Sequence, residues 1–134
     1  MSPQKPLPNI TPLDRAFWKH AKDHRLHLQR CAACRRFRFP ASPVCPECGA
    51  WEHAYEPVSG RGKIASWVVF HRCYFPSFEA EIPYNVALIT LDEGVTMVAN
   101  ILAPNESLRR DMTVEVVFED VTPDISIPKF QPVQ

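Results

Sequence analysis

The sequence predicts a mainly β protein with an N-terminal helix, a small zinc ribbon and a C-terminal five-stranded barrel of the OB type. Two observations lead to this prediction. Four cysteines form two C-x-x-C pairs close together in the first half of the chain. After them, apolar residues repeat with a period of two in five segments, which is the period of a β-strand.

The N-terminal helix is predicted from a start signal and an apolar face. The segment Thr11-Pro12-Leu13-Asp14 supplies an N-cap residue, a proline at the first helical position and an acid three residues after the cap. Leu13, Phe17 and Ala21 follow at four-residue spacing and define one face of a helix that ends near His24. A helix this short needs a surface to pack on. The ten residues before it contain three prolines and are predicted to form an extended arm.

The two cysteine pairs, Cys31-Ala-Ala-Cys34 and Cys45-Pro-Glu-Cys48, predict one tetrahedral zinc ion. Each C-x-x-C turn directs two thiolates toward a common point, and soft sulfur ligands favour zinc, with iron as the alternative. A thioredoxin-like redox motif would need a single pair in a βαβ setting. Because four thiolates leave no open coordination position, we expect the metal to be structural.

Three other residues could take part in chemistry, but simpler interpretations are favoured for each. His53 lies five residues after Cys48 and would be a surplus ligand. Cys73 is the fifth cysteine, and with His71 it forms the closest approach to a nucleophile and base, because residues two apart share a strand face. The apolar neighbours of this pair favour packing over reaction. We therefore predict no catalytic residue.

The barrel is predicted from five strand segments and the breaks between them. Asp92-Glu93-Gly94 is a tight turn that joins the second and third strands as a hairpin. A break at residues 104–111 suits an OB-type barrel, and a five-stranded sandwich is the alternative. The predicted strands are Lys63–Tyr74, Tyr84–Leu91, Val95–Leu102, Met112–Glu119 and Ile125–Phe130.

The first of these strands is apolar on both faces. Simple alternation places Ile64, Val68 and Phe70 on one face, and Trp67 and Val69 on the other. A strand of this kind is expected to be covered on both sides.

Length and composition limit the organisation of the chain. With 134 residues, 46% of them apolar, it can form one core with a small satellite. We predict an N-terminal arm and helix at residues 1–25, a zinc ribbon at 26–57 and an OB-fold domain at 58–134. No apolar run approaches the roughly 20 residues of a membrane helix, and no signal-peptide pattern is present. We expect a cytoplasmic protein, in keeping with cysteines that bind metal or stay reduced.

The net charge is zero, but the two parts of the chain carry opposite charge. Through Lys63 there are 11 Lys or Arg against 5 acids (+6), and from Ile64 onward there are 4 against 10 (−6). Arg35, Arg36 and Arg38 lie within the zinc loop. They could balance the negative charge of a zinc tetrathiolate or bind phosphate, and the sequence leaves both interpretations open.

Taken in order, several motifs resemble the DUF-thirty-five (DUF35) family over nearly the whole chain, from Thr11 to Phe130. The resemblance implies a rubredoxin-like zinc ribbon, a C-terminal OB barrel and a role as a small companion of thiolase-like acyl-CoA enzymes. One departure is Arg35, where many zinc ribbons carry glycine. The motifs are Phe17-Trp18, the two cysteine pairs, Val58-Ser-Gly-Arg-Gly-Lys-Ile64, Ile82-Pro-Tyr-Asn-Val-Ala-Leu-Ile-Thr-Leu-Asp-Glu-Gly94 and Pro128-Lys-Phe130.

The resemblance further implies that the barrel helps to accommodate CoA or acyl-CoA near a subunit interface. Arg61 and Lys63 flank a glycine and are candidates for the phosphates, although a glycine at a strand start can also serve a bend. Phe75, Phe78 and Tyr84 are candidates for contact with an acyl group or a partner, and capping of the barrel mouth is the alternative.

These features predict an accessory subunit of a thiolase-like enzyme for carbon-carbon cleavage or acyl transfer, acting in a hetero-oligomer. The alternative function is nucleic-acid binding, because OB folds and zinc ribbons both occur in such proteins. The −6 charge of the barrel segment opposes binding to a phosphate backbone, so we expect neither a nucleic-acid nor a membrane partner. Rubredoxin-like electron transfer would require iron.

Overall fold

The computed structural model describes residues 9–71 and 82–133, and it has the predicted fold class: one α-helix, a small three-stranded sheet and a curled five-stranded sheet. A 3₁₀ turn at Asn105–Ser107 precedes β7. The elements are α1 (Arg15–Lys22), β1 (His27–Cys31), β2 (Phe37–Arg38), β3 (His53–Pro57), β4 (Arg61–Phe70), β5 (Tyr84–Leu91), β6 (Thr96–Ala99), β7 (Thr113–Asp120) and β8 (Ser126–Pro132).

The predicted start signal of α1 forms a capping box. The backbone N–H of Thr11 donates to Asp14 Oδ1 at 2.7 Å, and the N–H of Asp14 lies 3.4 Å from Thr11 Oγ1. Regular helix begins only at Arg15, after one turn, and ends at Lys22. With eight residues α1 is far too short to cross a bilayer. Within the described ranges, no helix is long and apolar enough to do so.

The three-stranded sheet has the order β2-β1-β3, with both pairs antiparallel, and α1 packs beside it. The ring of His20 on α1 stacks on His27 of β1 with 3.6 Å between centroids. The Tyr55 hydroxyl on β3 donates to the carbonyl oxygen of Leu13 at 2.8 Å. The helix is therefore fixed to the ribbon.

The five-stranded sheet has the order β6-β5-β4-β7-β8, with every pair antiparallel. It curls until its two edges meet, where Ile101 forms a parallel bridge with Phe130. The side chain of Asn85, which is only 5% exposed, holds this junction from β5: its Nδ2 donates to Ile101 O at 2.9 Å, and its Oδ1 accepts from Ile101 N at 2.7 Å. The OB-type half-barrel is thus confirmed. The five strands form one curled sheet and not the two packed sheets of a sandwich.

The predicted strand bounds agree closely for β5, which spans Tyr84–Leu91 as expected. The starts and ends of β7 and β8 differ from the prediction by one or two residues. β6 is shorter than predicted, because the chain leaves β5 after Ala99 to reach β8. β4 begins at Arg61, and the last residues predicted for it fall partly outside the described ranges.

A β-bulge between Ile64 and Ser66 changes which side chains of β4 face the core. Ile64 is fully buried and Trp67 packs against the same core, whereas Val68 is 55% exposed. The prediction that Ile64 shares a face with Val68 and Phe70 was therefore wrong. The extra residue of the bulge shifts the alternation by one position.

One hydrophobic core joins the helix, the ribbon and the half-barrel. Phe17 of α1 and Leu28 of β1 belong to the same buried cluster as Ile64, Ile89 and Phe130 of the half-barrel. The three parts therefore support one another, and the helix gains the packing surface that its length requires.

We predict that Gly62→Ala lowers the free energy of unfolding by about 3 kcal/mol, because the strands are too close for a side chain. A Cβ on Gly62 would lie 2.4 Å from Thr90 O and 2.9 Å from Leu91 Cα. Urea unfolding followed by circular dichroism measures the loss.

Gly94→Ala is the matched control for this substitution. Gly94 has a positive φ of 91° but nothing within 4 Å of the added Cβ, so the expected loss is only about 1 kcal/mol. Equal losses in the two variants would contradict the steric explanation.

Candidate functional site

The four predicted ligands, Cys31, Cys34, Cys45 and Cys48, come together as one cluster. Their sulfur atoms all lie within 4.8 Å of one another, with 3.5 Å between Cys31 and Cys48 and 3.6 Å between Cys34 and Cys45. Tetrahedral zinc with Zn–S bonds of about 2.3 Å places its ligands about 3.8 Å apart. The thiolate cluster therefore fits one zinc ion in a closed site.

The two cysteine turns have matching backbones. The N–H of Arg35 donates to Cys31 O at 3.1 Å, and the N–H of Gly49 donates to Cys45 O at 2.9 Å. Arg35 and Gly49 both adopt left-handed conformations, with φ of 66° and 78°. The arginine therefore makes the turn that glycine usually makes, at a conformational cost of about 1–2 kcal/mol. Its side chain lies 3.6 Å from the Glu56 carboxylate.

The protein environment favours thiolates at two of these positions. The backbone N–H of Cys34 donates to Cys31 Sγ at 3.4 Å and is the main reason why the pKa of the Cys31 thiol falls to about 6. The N–H of Cys48 lowers the pKa of Cys45 in the same way. These N–H groups stabilise negative charge before any metal binds.

Cys48 behaves differently. The N–H of Ala50 favours its thiolate, but hydrogen bonding to the sulfur of Cys31, desolvation and the sulfurs of Cys45 and Cys34 together raise the pKa of Cys48 to about 11. The metal-free cluster therefore keeps a proton on this thiol at neutral pH, because four adjacent thiolates repel one another without a cation.

Three arginines of the ribbon pair with carboxylates. Arg36 lies 2.8 Å from Glu47, while Arg30 and Arg35 lie 3.7 and 3.6 Å from Glu56. Much of the positive charge near the metal is balanced within the ribbon. This pairing does not favour phosphate binding, and balancing of a zinc tetrathiolate by Arg35, Arg36 and Arg38 stays a prediction.

The candidate phosphate-binding residues lie at the start of β4. Arg61 and Lys63 are both exposed, and Arg61 lies 3.8 Å from the Glu115 carboxylate. Gly62 between them is buried against the β5 backbone. Close strand packing thus accounts for the glycine without any ligand, and the role of the two cations stays a prediction.

The candidate aromatic residues are only partly within the structure. Tyr84 is half-buried at the start of β5, and its ring stacks on Phe70 of β4 at 5.2 Å. Phe75 and Phe78 lie outside the described residues, as does Cys73.

The two histidines considered for chemistry are both described. His71 is exposed. His53 lies on β3, where its Nδ1 is 3.1 Å from Trp51 O, and it is not part of the metal cluster. This agrees with the interpretation of His53 as an ordinary polar residue.

An apolar stripe on the outer face of β4, β5 and β6 was not predicted as a site. Val68, Leu88 and Val98 are 55%, 42% and 52% exposed. Leu88 lies directly opposite Val98, and Val68 lies opposite Val86. We call these four residues the apolar stripe. The sequence did contain a signal for it, since β4 reads as apolar on both faces.

We predict that zinc binding weakens as the pH falls, and that it weakens more steeply below about pH 6. The Cys31 thiolate, whose pKa is lowered to about 6, then takes up a proton that competes with the metal. Above this pH, zinc binding to the metal-free protein should release a proton from Cys48. Metal content after dialysis against a chelator at pH 8, 7 and 5 measures retention, and titration in weakly buffered solution measures the released protons.

Cys48→Ser provides the control, because three thiolates should hold zinc more weakly at every pH. Chelation should also remove the circular dichroism signal of the ribbon. A ribbon that keeps its structure after complete zinc removal would contradict the structural role of the metal.

Two family models match the chain in succession. Residues 18–54 match the model described as the ChsH2 rubredoxin-like zinc ribbon domain, and residues 55–119 match the ChsH2 C-terminal OB-fold domain. Together with the thiolate cluster, the first match makes this region a zinc ribbon.

Several curated relatives are similar over much of the chain. A probable enoyl-CoA hydratase alpha subunit of Thermomonospora curvata is 38% identical over 96% of this chain, which spans only 40% of that subunit's length. A DUF35 domain-containing scaffold protein of Methanocaldococcus jannaschii is 32% identical over 80% of this chain and 77% of its own length. The benzoylsuccinyl-CoA thiolase subunit BbsA of Thauera aromatica is 31% identical over 65% of this chain and 58% of its own length.

A solved structure has the same architecture. A chain described as part of the "Ltp2-ChsH2(DUF35) aldolase" superimposes with a TM-score of 0.84 and 34% identity, covering 94% of this chain and 98% of that chain. With both domains matched in order and relatives aligned over most of their own length, the chain belongs to the DUF35 family of zinc-ribbon and OB-fold proteins.

Proposed function

We propose that this chain is a zinc-binding accessory subunit of a thiolase-like acyl-CoA enzyme, and that it supports assembly and acyl-CoA binding in carbon-carbon cleavage or acyl transfer. The observation that carries this proposal is the apolar stripe. Relatives named as a thiolase subunit, a hydratase subunit, scaffold proteins and part of an aldolase support the enzyme class.

The stripe has the character of a protein interface. The solvent face of an antiparallel sheet normally carries polar side chains. Here Leu88 lies opposite Val98, and Val68 of the third strand lies opposite Val86, diagonal to Leu88. The stacked rings of Phe70 and Tyr84 lie two positions beyond Val68 and Val86 on the same strand pair. Burying such a surface against a partner removes apolar area from water, which favours a hetero-oligomer.

One group of polar side chains, just after α1 and on β7 and β8, has the composition of a hydrolytic triad but a different order. Within residues 9–71 and 82–133, the nearest likeness to a hydrolytic triad is Ser126, Asp120 and His24. Both Ser126 and His24 bond to the Asp120 carboxylate, so the carboxylate stands between them. In a working triad the histidine lies between the other two and takes the serine proton.

The outer face of β4 has a layout suited to acyl-CoA. Arg61 and Lys63 lie at one end of the strand, and Val68 and Phe70 lie toward the other, roughly 20 Å away. Cations suit the phosphates of CoA, and apolar side chains suit the pantetheine and acyl parts. We propose that Tyr84, with Phe75 and Phe78, contacts the acyl group or the partner near this second end.

The nucleic-acid alternative gains no support from the ribbon, because Arg30, Arg35 and Arg36 are paired with glutamates. We propose a cytoplasmic location, since a zinc site of four thiolates suits a reducing compartment.

We predict that Leu88→Asp abolishes co-purification of the enzyme partner from the native cell, because a charge would be buried in the interface. Affinity-tagged protein expressed in the source organism, followed by mass spectrometry of the bound proteins, tests this. Ala54→Asp is the control, since Ala54 is also exposed but lies on β3 of the ribbon, away from the stripe. Recovery of a thiolase-like partner with both variants would contradict the proposed interface, and recovery of no acyl-CoA enzyme by the native chain would contradict the function.

We also predict that Lys63→Glu weakens CoA binding to the partner complex at least tenfold, because it replaces a phosphate contact with a repulsive charge. Isothermal titration of CoA into the purified complex measures the change. Lys19→Glu on α1 makes the same charge change at an exposed position outside the barrel and should leave the affinity unaltered. Equal CoA affinities of the Lys63→Glu and Lys19→Glu complexes would contradict the proposal that Lys63 contacts CoA.

A further inference from the structure

A cavity of about 430 Å³ lies where the helix, the ribbon and the half-barrel meet. Its volume is within the range of small-molecule sites, and its lining is predominantly apolar. Sites of this kind often form where separate structural units come together. The apolar lining includes Phe17 and Trp18 from α1, Leu28 and Phe39 from the ribbon, and Met97 and Ile127 from the half-barrel.

The lining also contains one buried cation, Arg38 of β2. This residue is only 8% exposed. Its Nε donates to Gln29 Oε1 at 2.9 Å and its Nη2 donates to Ser42 O at 2.8 Å, which fixes the guanidinium group. Its Nη1 is buried and has no hydrogen-bond partner within the described part of the chain.

Arg38 differs from the other arginines of the ribbon in its charge balance. Arg30, Arg35 and Arg36 each lie within 4 Å of a glutamate, whereas no described carboxylate lies within that distance of Arg38. Both groups that Arg38 contacts, the Gln29 amide and the Ser42 carbonyl, are neutral. A buried positive charge without a counter-charge is unfavourable, and so is a buried N–H without an acceptor.

Three other polar side chains of the lining already have hydrogen-bond partners. Tyr55 donates its hydroxyl hydrogen to Leu13 O. Asp14 Oδ1 accepts from both the backbone N–H and the hydroxyl of Thr11. Gln29 uses both ends of its amide, with Nε2 donating to Ser42 O at 2.8 Å. Among the described lining residues, Arg38 is the one with a buried side-chain nitrogen that lacks a hydrogen-bond partner.

We propose that this cavity binds a small apolar carboxylic acid, with an aromatic or alicyclic body against the apolar walls and the carboxylate on Arg38. A carboxylate supplies the missing counter-charge, and the fixed guanidinium is a preorganised partner for it. The aromatic rings of Phe17, Trp18 and Phe39, which pack against one another at 4.9 and 5.8 Å, favour a flat ring system.

The test uses the full zinc-loaded chain alone and two probes of the same shape, 2-naphthoate and its neutral amide, 2-naphthamide. Isothermal titration should show one molecule of 2-naphthoate per chain and at least tenfold weaker binding of the amide. Arg38→Met should lower the affinity for the acid at least tenfold and leave that for the amide unchanged. Arg36→Met, on the exposed side of the same zinc loop, should change neither affinity.

Ala41→Leu keeps the proposal falsifiable if Arg38→Met fails to fold. Ala41 is half-buried and lines the cavity, so a larger side chain there should weaken both probes. Zinc content and circular dichroism establish that each variant is folded. Equal affinities of the native chain for the acid and the amide, an unchanged affinity in Ala41→Leu, or no binding at the solubility limit would each overturn the proposal. Because no partner is present, any of these results would leave the proposed subunit function standing.

Discussion

The architecture depends on the junction where the curled sheet closes on itself. Asn85 is buried, and its amide group bonds to both the N–H and the carbonyl oxygen of Ile101, which places that residue beside Phe130 on the opposite edge. An apolar side chain at this position would leave backbone polar groups buried without partners. The closed edge completes the concave side of the sheet, on which the core packs.

The ribbon and helix complete this core and do not form an independent unit. Phe17 and Leu28 are buried in the same cluster as Ile64 and Phe130, so the metal acts on the half-barrel through packing. A small ribbon has too little apolar surface to fold alone, and the thiolate centre supplies the missing stability. Loss of the metal is therefore expected to disturb the cavity between the three parts.

The sequence predicted the features that depend on local spacing. The metal ligands Cys31, Cys34, Cys45 and Cys48 are fixed by two short turns, and Tyr84–Leu91 has a clear period of two bounded by turn signals. The predicted face of Val68 was wrong because of the bulge in β4. A bulge is an irregularity in the pairing of two strands, so the sequence of one strand does not reveal it. The isolation of Arg38 was hidden for a related reason: its lack of a counter-charge depends on residues far apart in sequence.

The bulge in β4 has a consequence for how the outer surface is encoded. With regular alternation from Ile64, the next side chains on the solvent face would include Trp67 and Val69, and Val68 would turn inward. The extra residue instead sends Val68 and Phe70 outward, on the same side as Leu88. Deletion of one residue at the bulge would turn the side chains of the second half of β4 to the opposite face, although their identities would not change. The number of residues in β4, as much as their identity, therefore determines which side chains this protein presents to its surroundings.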